Sequence, residues 1–109
     1  MLPSSRRIPK SIFPLLRFGK TFEGEFFSLK VVKGKDPLKP SKVSFVVSSK
    51  VSKKAVSRNK LRRIGYNTVA GASKNLPQGI LFAFFAKNKS ASVPSSALRA
   101  DILNLISKI

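Results

Sequence analysis

Seven cations, Lys50, Lys53, Lys54, Arg58, Lys60, Arg62 and Arg63, fall within the 14 residues K-V-S-K-K-A-V-S-R-N-K-L-R-R, and no carboxylate lies among them. The chemistry open to such a set is the gripping of phosphate oxygens. A guanidinium offers a planar fork of donors and a lysine a mobile point charge. Asn59 lies among them with an amide that could orient its neighbours or bond a phosphate or a ribose 2′-hydroxyl. Bond-making chemistry is poorly supplied. The chain has no His and no Cys, hence no imidazole base, no thiolate nucleophile and no zinc site. Its four carboxylates, Glu23, Glu25, Asp36 and Asp101, are too dispersed to converge on a pair of metal ions. These side chains bind; they do not react.

The whole chain is built the same way. Its 109 residues carry a formal charge of +18, and 42% of them are hydrophobic. That is the size of one domain, residues 1–109, with enough apolar material for a core. A folded body so basic repels itself, and a polyanion relieves the strain. Nucleic acid is the expected partner. An anionic membrane surface is the rival, but no apolar run approaches the ~18 residues a span needs. Met1-Leu2-Pro3-Ser4-Ser5-Arg6-Arg7 lacks an apolar signal core. A cytoplasmic protein without a membrane partner is expected, and no dimer surface is apparent. The lack of Cys leaves no disulfide framework.

Several elements must hold these side chains in place. Ser11 can cap a short helix to about Phe18, with Pro14 in its first turn, Ile12, Leu15 and Leu16 on one face, and Gly19 at its end. Phe26–Val32 alternates as a half-buried strand, Phe27, Leu29 and Val31 on one side, Ser28 and Lys30 on the other. Lys33–Lys42 holds Gly34, Pro37 and Pro40 and reads as a hairpin loop into a second strand, Val43–Ser48. From about Ser52 the period becomes helical. Ser57, Leu61, Ile64 and Thr68 form one stripe, while Ala55, Arg58, Asn59, Arg62 and Tyr66 form the opposite one, with Arg63 at its margin. The helix should bury Leu61 and Ile64 and turn its arginines outward. Gly65 weakens it modestly and Gly71 stops it. After a turn at Leu76–Gly79, Ile80–Ala86 is apolar throughout, as a central strand covered on both faces would be. A polar loop, Lys87–Pro94, precedes a helix capped by Ser95 or Ser96, with Leu98, Ile102, Leu105, Ile106 and Ile109 on its apolar stripe. The order α-β-β-α-β-α implies an α+β fold, a two-layer α/β sandwich with one small sheet.

The segment Lys50–Arg63 resembles the bacterial ribonuclease P protein component. That family carries A-V-x-R-N-R-x-K-R on a helix after a strand ending near V-S-K-K. Here the strand ends Val47-Ser48-Ser49-Lys50, and the helix reads Ala55-Val56-Ser57-Arg58-Asn59-Lys60-Leu61-Arg62-Arg63. Lys60 stands where the family usually has Arg, and Arg62 where it often has Lys. Met1-Leu2-Pro3, Arg6-Arg7-Ile8, Phe13, Gly19-Lys20 and Phe27 extend the likeness over nearly the whole chain. The resemblance implies a left-handed β-α-β crossover, against the usual right-handed rule. It implies a protein subunit of an RNA enzyme that removes the 5′ leader of precursor tRNA. Its partners would be the ribonuclease P RNA subunit, one protein per RNA, and the 5′ leader. Mg²⁺ would be held by RNA and substrate, with no protein-only metal site.

The resemblance also implies roles. Lys50, Lys53, Lys54, Arg58, Asn59, Lys60, Arg62 and Arg63 would bind RNA, and Phe13, Phe27 and Lys30 would line a leader groove. An ordinary solvated helix face would mix charge signs; here no acid stands at i±3 or i±4 to offset the repulsion. Phe13 and Phe27 stand evenly between core packing and stacking on unpaired leader bases. A structural, ribosomal-type RNA binder shares the composition and differs only in this motif and the aromatic pattern. A DNA-compacting protein and a protein-only nuclease fit less well.

Overall fold

A computed structural model describes residues 19–33, 41–72 and 79–109. Its elements are β1 (Lys20–Glu23), β2 (Phe27–Lys33), β3 (Lys42–Val46), α1 (Ala55–Gly71), β4 (Ile80–Ala86), a 3₁₀ turn (Asn88–Ser92) and α2 (Ser95–Ser107). The helix expected over Ser11–Phe18 lies outside the described residues.

The strands form one mixed sheet in the order β1-β2-β4-β3. β4 is central, as its unbroken apolar run requires. It is antiparallel to β2, from Phe27 opposite Ala86 to Lys33 opposite Ile80, and parallel to β3, from Lys42 opposite Leu81 to Val46 opposite Phe85. This corrects the hairpin expected at Lys33–Lys42. β2 and β3 are not neighbours, because β4 lies between them. Each of those two strands has an apolar side but neither is apolar throughout, so the flanking places fall to them and the fully apolar strand takes the middle. β3, α1 and β4 thus form a β-α-β crossover.

β1, a fourth strand, was not expected. K-T-F-E carries one half-buried apolar residue, Phe22, among three exposed polar ones. Such a short, charged strand is suited to a sheet edge. It pairs with β2 through a turn closed by the Gly24 amide on the Phe27 carbonyl at 2.8 Å.

Side-chain alternation gives the sheet two faces. Phe27, Leu29, Val43, Phe45, Phe82 and Phe84 pack with Leu61, Ile64, Tyr66 and Val69 of α1 and Leu98, Ile102, Leu105 and Ile106 of α2 in one core. Phe45 and Phe84 stack with ring centres 4.6 Å apart and planes 4° from parallel. The other face carries Leu81 and Ala83 with Val32 and Phe85. The helical stripe foreseen for α2 is the buried one, but neither serine caps it. Pro94 occupies the N-cap position, and its carbonyl takes the amides of Ala97 and Leu98 at 3.1 and 3.3 Å.

Candidate nucleic-acid interface

α1 points the Leu61–Ile64 side into the core, and its buried arc runs on through Gly65, Tyr66 and Val69. Tyr66 corrects the expected outward stripe. It is 8% exposed, its hydroxyl accepts the Phe45 amide at 3.2 Å, and its ring meets that of Phe45 edge-on at 5.1 Å. The arc is wide because α1 packs against both the sheet and α2, so more than one stripe is covered. Gly65 has a packing role as well as a propensity cost. A Cβ there would collide with the Phe45 ring.

The remaining arc is cationic. Asn59, Lys60 and Arg63 are exposed, and Arg58 and Arg62 are half-buried. Ahead of the helix, Lys50, Lys53 and Lys54 are exposed. Lys54 is the N-cap residue, without a side-chain cap, and no acid lies in the first turn. Cations and an uncapped N-terminus therefore face solvent together, an arrangement that opposes the helix dipole in the free protein.

Two side chains are held within this strip. Arg62 Nη1 donates to Asn59 Oδ1 at 2.6 Å, so Asn59 orients a neighbouring guanidinium. Arg58 Nη1 donates to the carbonyls of Ser52 at 2.8 Å and Lys53 at 3.0 Å, spanning the loop before the helix.

Of the residues assigned to the groove, the described pair, Phe27 and Lys30, does not come together. Phe13 lies outside the described residues. Phe27 is 1% exposed, its ring edge-on to Phe45 and Phe84 at 6.1 and 6.3 Å. It is a core residue and cannot stack on a base. Strand geometry required this outcome, since Phe27 and Lys30 are three residues apart and point to opposite faces. Lys30 lies on the face away from the helices. Its partner there is Phe85, whose ring centre is 5.8 Å from Nζ. Phe85 is half-buried. Sequence reasoning assigned it wholly to the core because an unbroken apolar run hides which residues face which way; alternation along β4 was the available signal.

A second polar cluster also went unread. The Asp101 carboxylate on α2 accepts the amides of Glu25, Phe26 and Phe27, each at 3.0 Å, fixing the β1–β2 turn. A Cβ on Gly24 would stand 2.7 Å from Asp101 Oδ2, so glycine is needed for this approach. Beside it, Lys87 Nζ pairs with Glu23 Oε2 at 2.8 Å and donates to the Gly24 carbonyl at 2.7 Å. Hydrogen bonds from Lys87, then from Ser28, hold the Glu23 carboxyl below the ordinary glutamate range. Among the described residues no cluster of three His, Cys, Asp or Glu side chains could hold a metal ion. None of the described helices is long and apolar enough to cross a membrane.

A small α+β domain with a cationic helix face and a lysine-rich loop at that helix's N-terminus defines a class, the basic nucleic-acid-binding domains. The comparisons narrow the class. The family model for ribonuclease P matches residues 7–109, and the chain belongs to the ribonuclease P protein family. A curated relative, the ribonuclease P protein component of Synechococcus sp. strain JA-2-3B'a(2-13), is 36% identical over 69 residues, covering 63% of this chain and 52% of the relative. The match thus spans about half of that relative's length. The solved RNase P protein from Thermotoga maritima superposes with a TM-score of 0.84 at 26% identity, over 94% of this chain and 96% of that one. That from Staphylococcus aureus gives 0.82 at 17% identity, over 94% and 93%, a likeness of fold alone.

Proposed function

We propose that this chain is the protein subunit of ribonuclease P, acting as a single RNA-binding domain on the catalytic RNA and on the 5′ leader of precursor tRNA. The observation that carries the reading is the continuous cationic strip from Lys50 to Arg63, free of acidic residues and displayed on one helix and the loop before it in a chain of this family. Lys50, Lys53, Lys54, Lys60, Arg62 and Arg63 bind backbone phosphates, while Arg58 and Asn59 shape the strip around them. The leader lies along the sheet face away from α1 and α2, where Lys30, beside the half-buried Phe85 ring, meets backbone charge.

The phosphodiester is cut by the RNA. Mg²⁺ belongs to that RNA and its substrate; of the three described carboxylates, Glu23 is engaged by Lys87 and Asp101 by three amides. The protein's part is electrostatic. It neutralises phosphates that would otherwise repel one another, which lets the RNA fold and hold substrate with less Mg²⁺. A cytoplasmic location, one protein per RNA and the family's left-handed β3–α1–β4 crossover complete the reading; the likeness to the Thermotoga maritima fold supports the last.

The test is cleavage of a precursor tRNA by a bacterial ribonuclease P RNA at low Mg²⁺, with and without this protein. Restored cutting at the mature 5′ end is expected. Binding without stimulation, repeated with RNA from the same source, would make the chain a structural RNA binder instead.

A further inference from the structure

We propose that Arg58 is a positioning residue, whose guanidinium straps the Ser52–Lys54 loop to the first turn of α1 so that Lys53 and Lys54 are presented to phosphate as a preformed pair. The inference rests on the RNA-binding reading above and changes how the motif works.

The geometry supports it in three ways. Arg58 spends both hydrogens of Nη1 inside the protein, on the carbonyls of Ser52 and Lys53. Those carbonyls belong to the residues immediately before the N-cap, and the Arg58 amide itself closes the first helical turn on the Lys54 carbonyl at 3.1 Å. Side chain and main chain of one residue therefore bind three successive loop residues. Among the described residues the loop has little else to hold it. Lys54 has no side-chain cap, Lys53 and Lys54 are exposed, and the turn before them is closed by the Val51 amide on Ser48 at 3.1 Å. Like charges at Lys53 and Lys54 repel each other and the helix dipole, so an unstrapped loop would spread them apart. Holding them together in advance removes an ordering cost that binding would otherwise meet. Among the cations of the strip, Arg58 is thus the one already engaged with the main chain, and its effect on RNA passes through its neighbours.

The test has two arms on the full chain. In the free protein, backbone order parameters of Ser52–Lys54 should fall in Arg58→Ala from a rigid ~0.85 toward ~0.6, with the strands unchanged. Unchanged order would overturn the proposal, because the loop would then hold itself. In the second arm, affinity for a bacterial ribonuclease P RNA is measured for wild type, Arg58→Ala, Lys53→Ala/Lys54→Ala and the combined variant. If Arg58 positions the lysines, Arg58→Ala costs about tenfold in the wild-type background and almost nothing once both lysines are gone, the non-additivity expected of one network. Losses that multiply would make Arg58 an independent phosphate ligand and overturn it. If Arg58→Ala loses its thermal transition, Arg58→Gln takes its place in both arms; unfolding of both variants would also overturn the proposal, since Arg58 would then serve the fold. Failure of wild type to bind RNA would sink the functional reading, while the order-parameter arm would still report on the strap.

Discussion

At the scale of single residues, side chains of one type divide by which way they face. Phe27 and Phe85 are both aromatic strand residues of the same sheet, but Phe27 is buried in the core while Phe85 lies half-buried on the opposite face. Phe27→Ala should cost about 3–5 kcal/mol of stability, the usual result of emptying a packed aromatic site. Phe85→Ala should leave the fold largely intact and weaken binding of precursor tRNA in proportion to leader length. Chemical denaturation and leader-length series on both variants check this; equal effects on stability would remove Phe85 from the groove. Glu23 offers a second test. Its carboxyl is held down by the hydrogen bond from Lys87. A lowered folded-state pKa stabilises the fold above the unfolded glutamate value, and that contribution is lost as pH falls through the folded value. Lys87→Ala should therefore raise the Glu23 pKa toward the ordinary range, read by NMR titration, and flatten the acid limb of the stability profile below that range. The basic strip was legible in the sequence because charge without compensation needs no tertiary information. The partners of Arg58 and Asp101 were not, since both are set by the placing of main-chain carbonyls and amides, to which sequence pattern is blind.

At the scale of elements, legibility followed the clarity of the period. α2 and the core face of β2 alternate cleanly and were read in place. β4 was placed at the centre from its apolar run alone. The order of strands was not readable, because pairing depends on which strand can tolerate cover on both sides, a comparison among strands. β1 was missed for a related reason: four largely polar residues become a strand only when β2 supplies the ladder. α1 shows how packing widens a face. Leu61 and Ile64 were foreseen in the core, but Tyr66 and Gly65 are there as well, because the helix settles close against Phe45. Gly65→Ala isolates that contact. In an exposed helix the change would stabilise modestly. Here the new methyl collides with the Phe45 ring, which is fixed by its stack on Phe84 and by Tyr66, so a loss of about 1–3 kcal/mol is expected. A gain in denaturation midpoint would mean the ring can yield, and that α1 is held less tightly against β3 than its packing implies.

At the scale of the whole molecule, the charge is arranged as well as large. Three of the four carboxylates, Glu23, Glu25 and Asp101, gather at the turn on the β1 edge, whereas the lysine loop leaves β3 at the other edge. Three strand spacings, about 14 Å, separate those edges. That exceeds the ~8 Å screening length at physiological salt, so the acidic turn neither neutralises the cationic strip nor competes with phosphate for it. Binding should then be governed by counterion release from the strip. With roughly five to seven phosphates engaged, the logarithm of the association constant should fall with the logarithm of salt concentration at a slope of about −4 to −6. Lys53→Ala/Lys54→Ala should make that slope shallower by nearly 2, whereas Glu25→Gln, on the far edge, should leave it unchanged. Filter binding of ribonuclease P RNA between low and physiological salt measures all three. A flat dependence for wild type would mean that the +18 charge is not a binding device. An equal response to Glu25→Gln and to loss of the lysine pair would mean that the protein acts as a diffuse cation and not through an oriented strip.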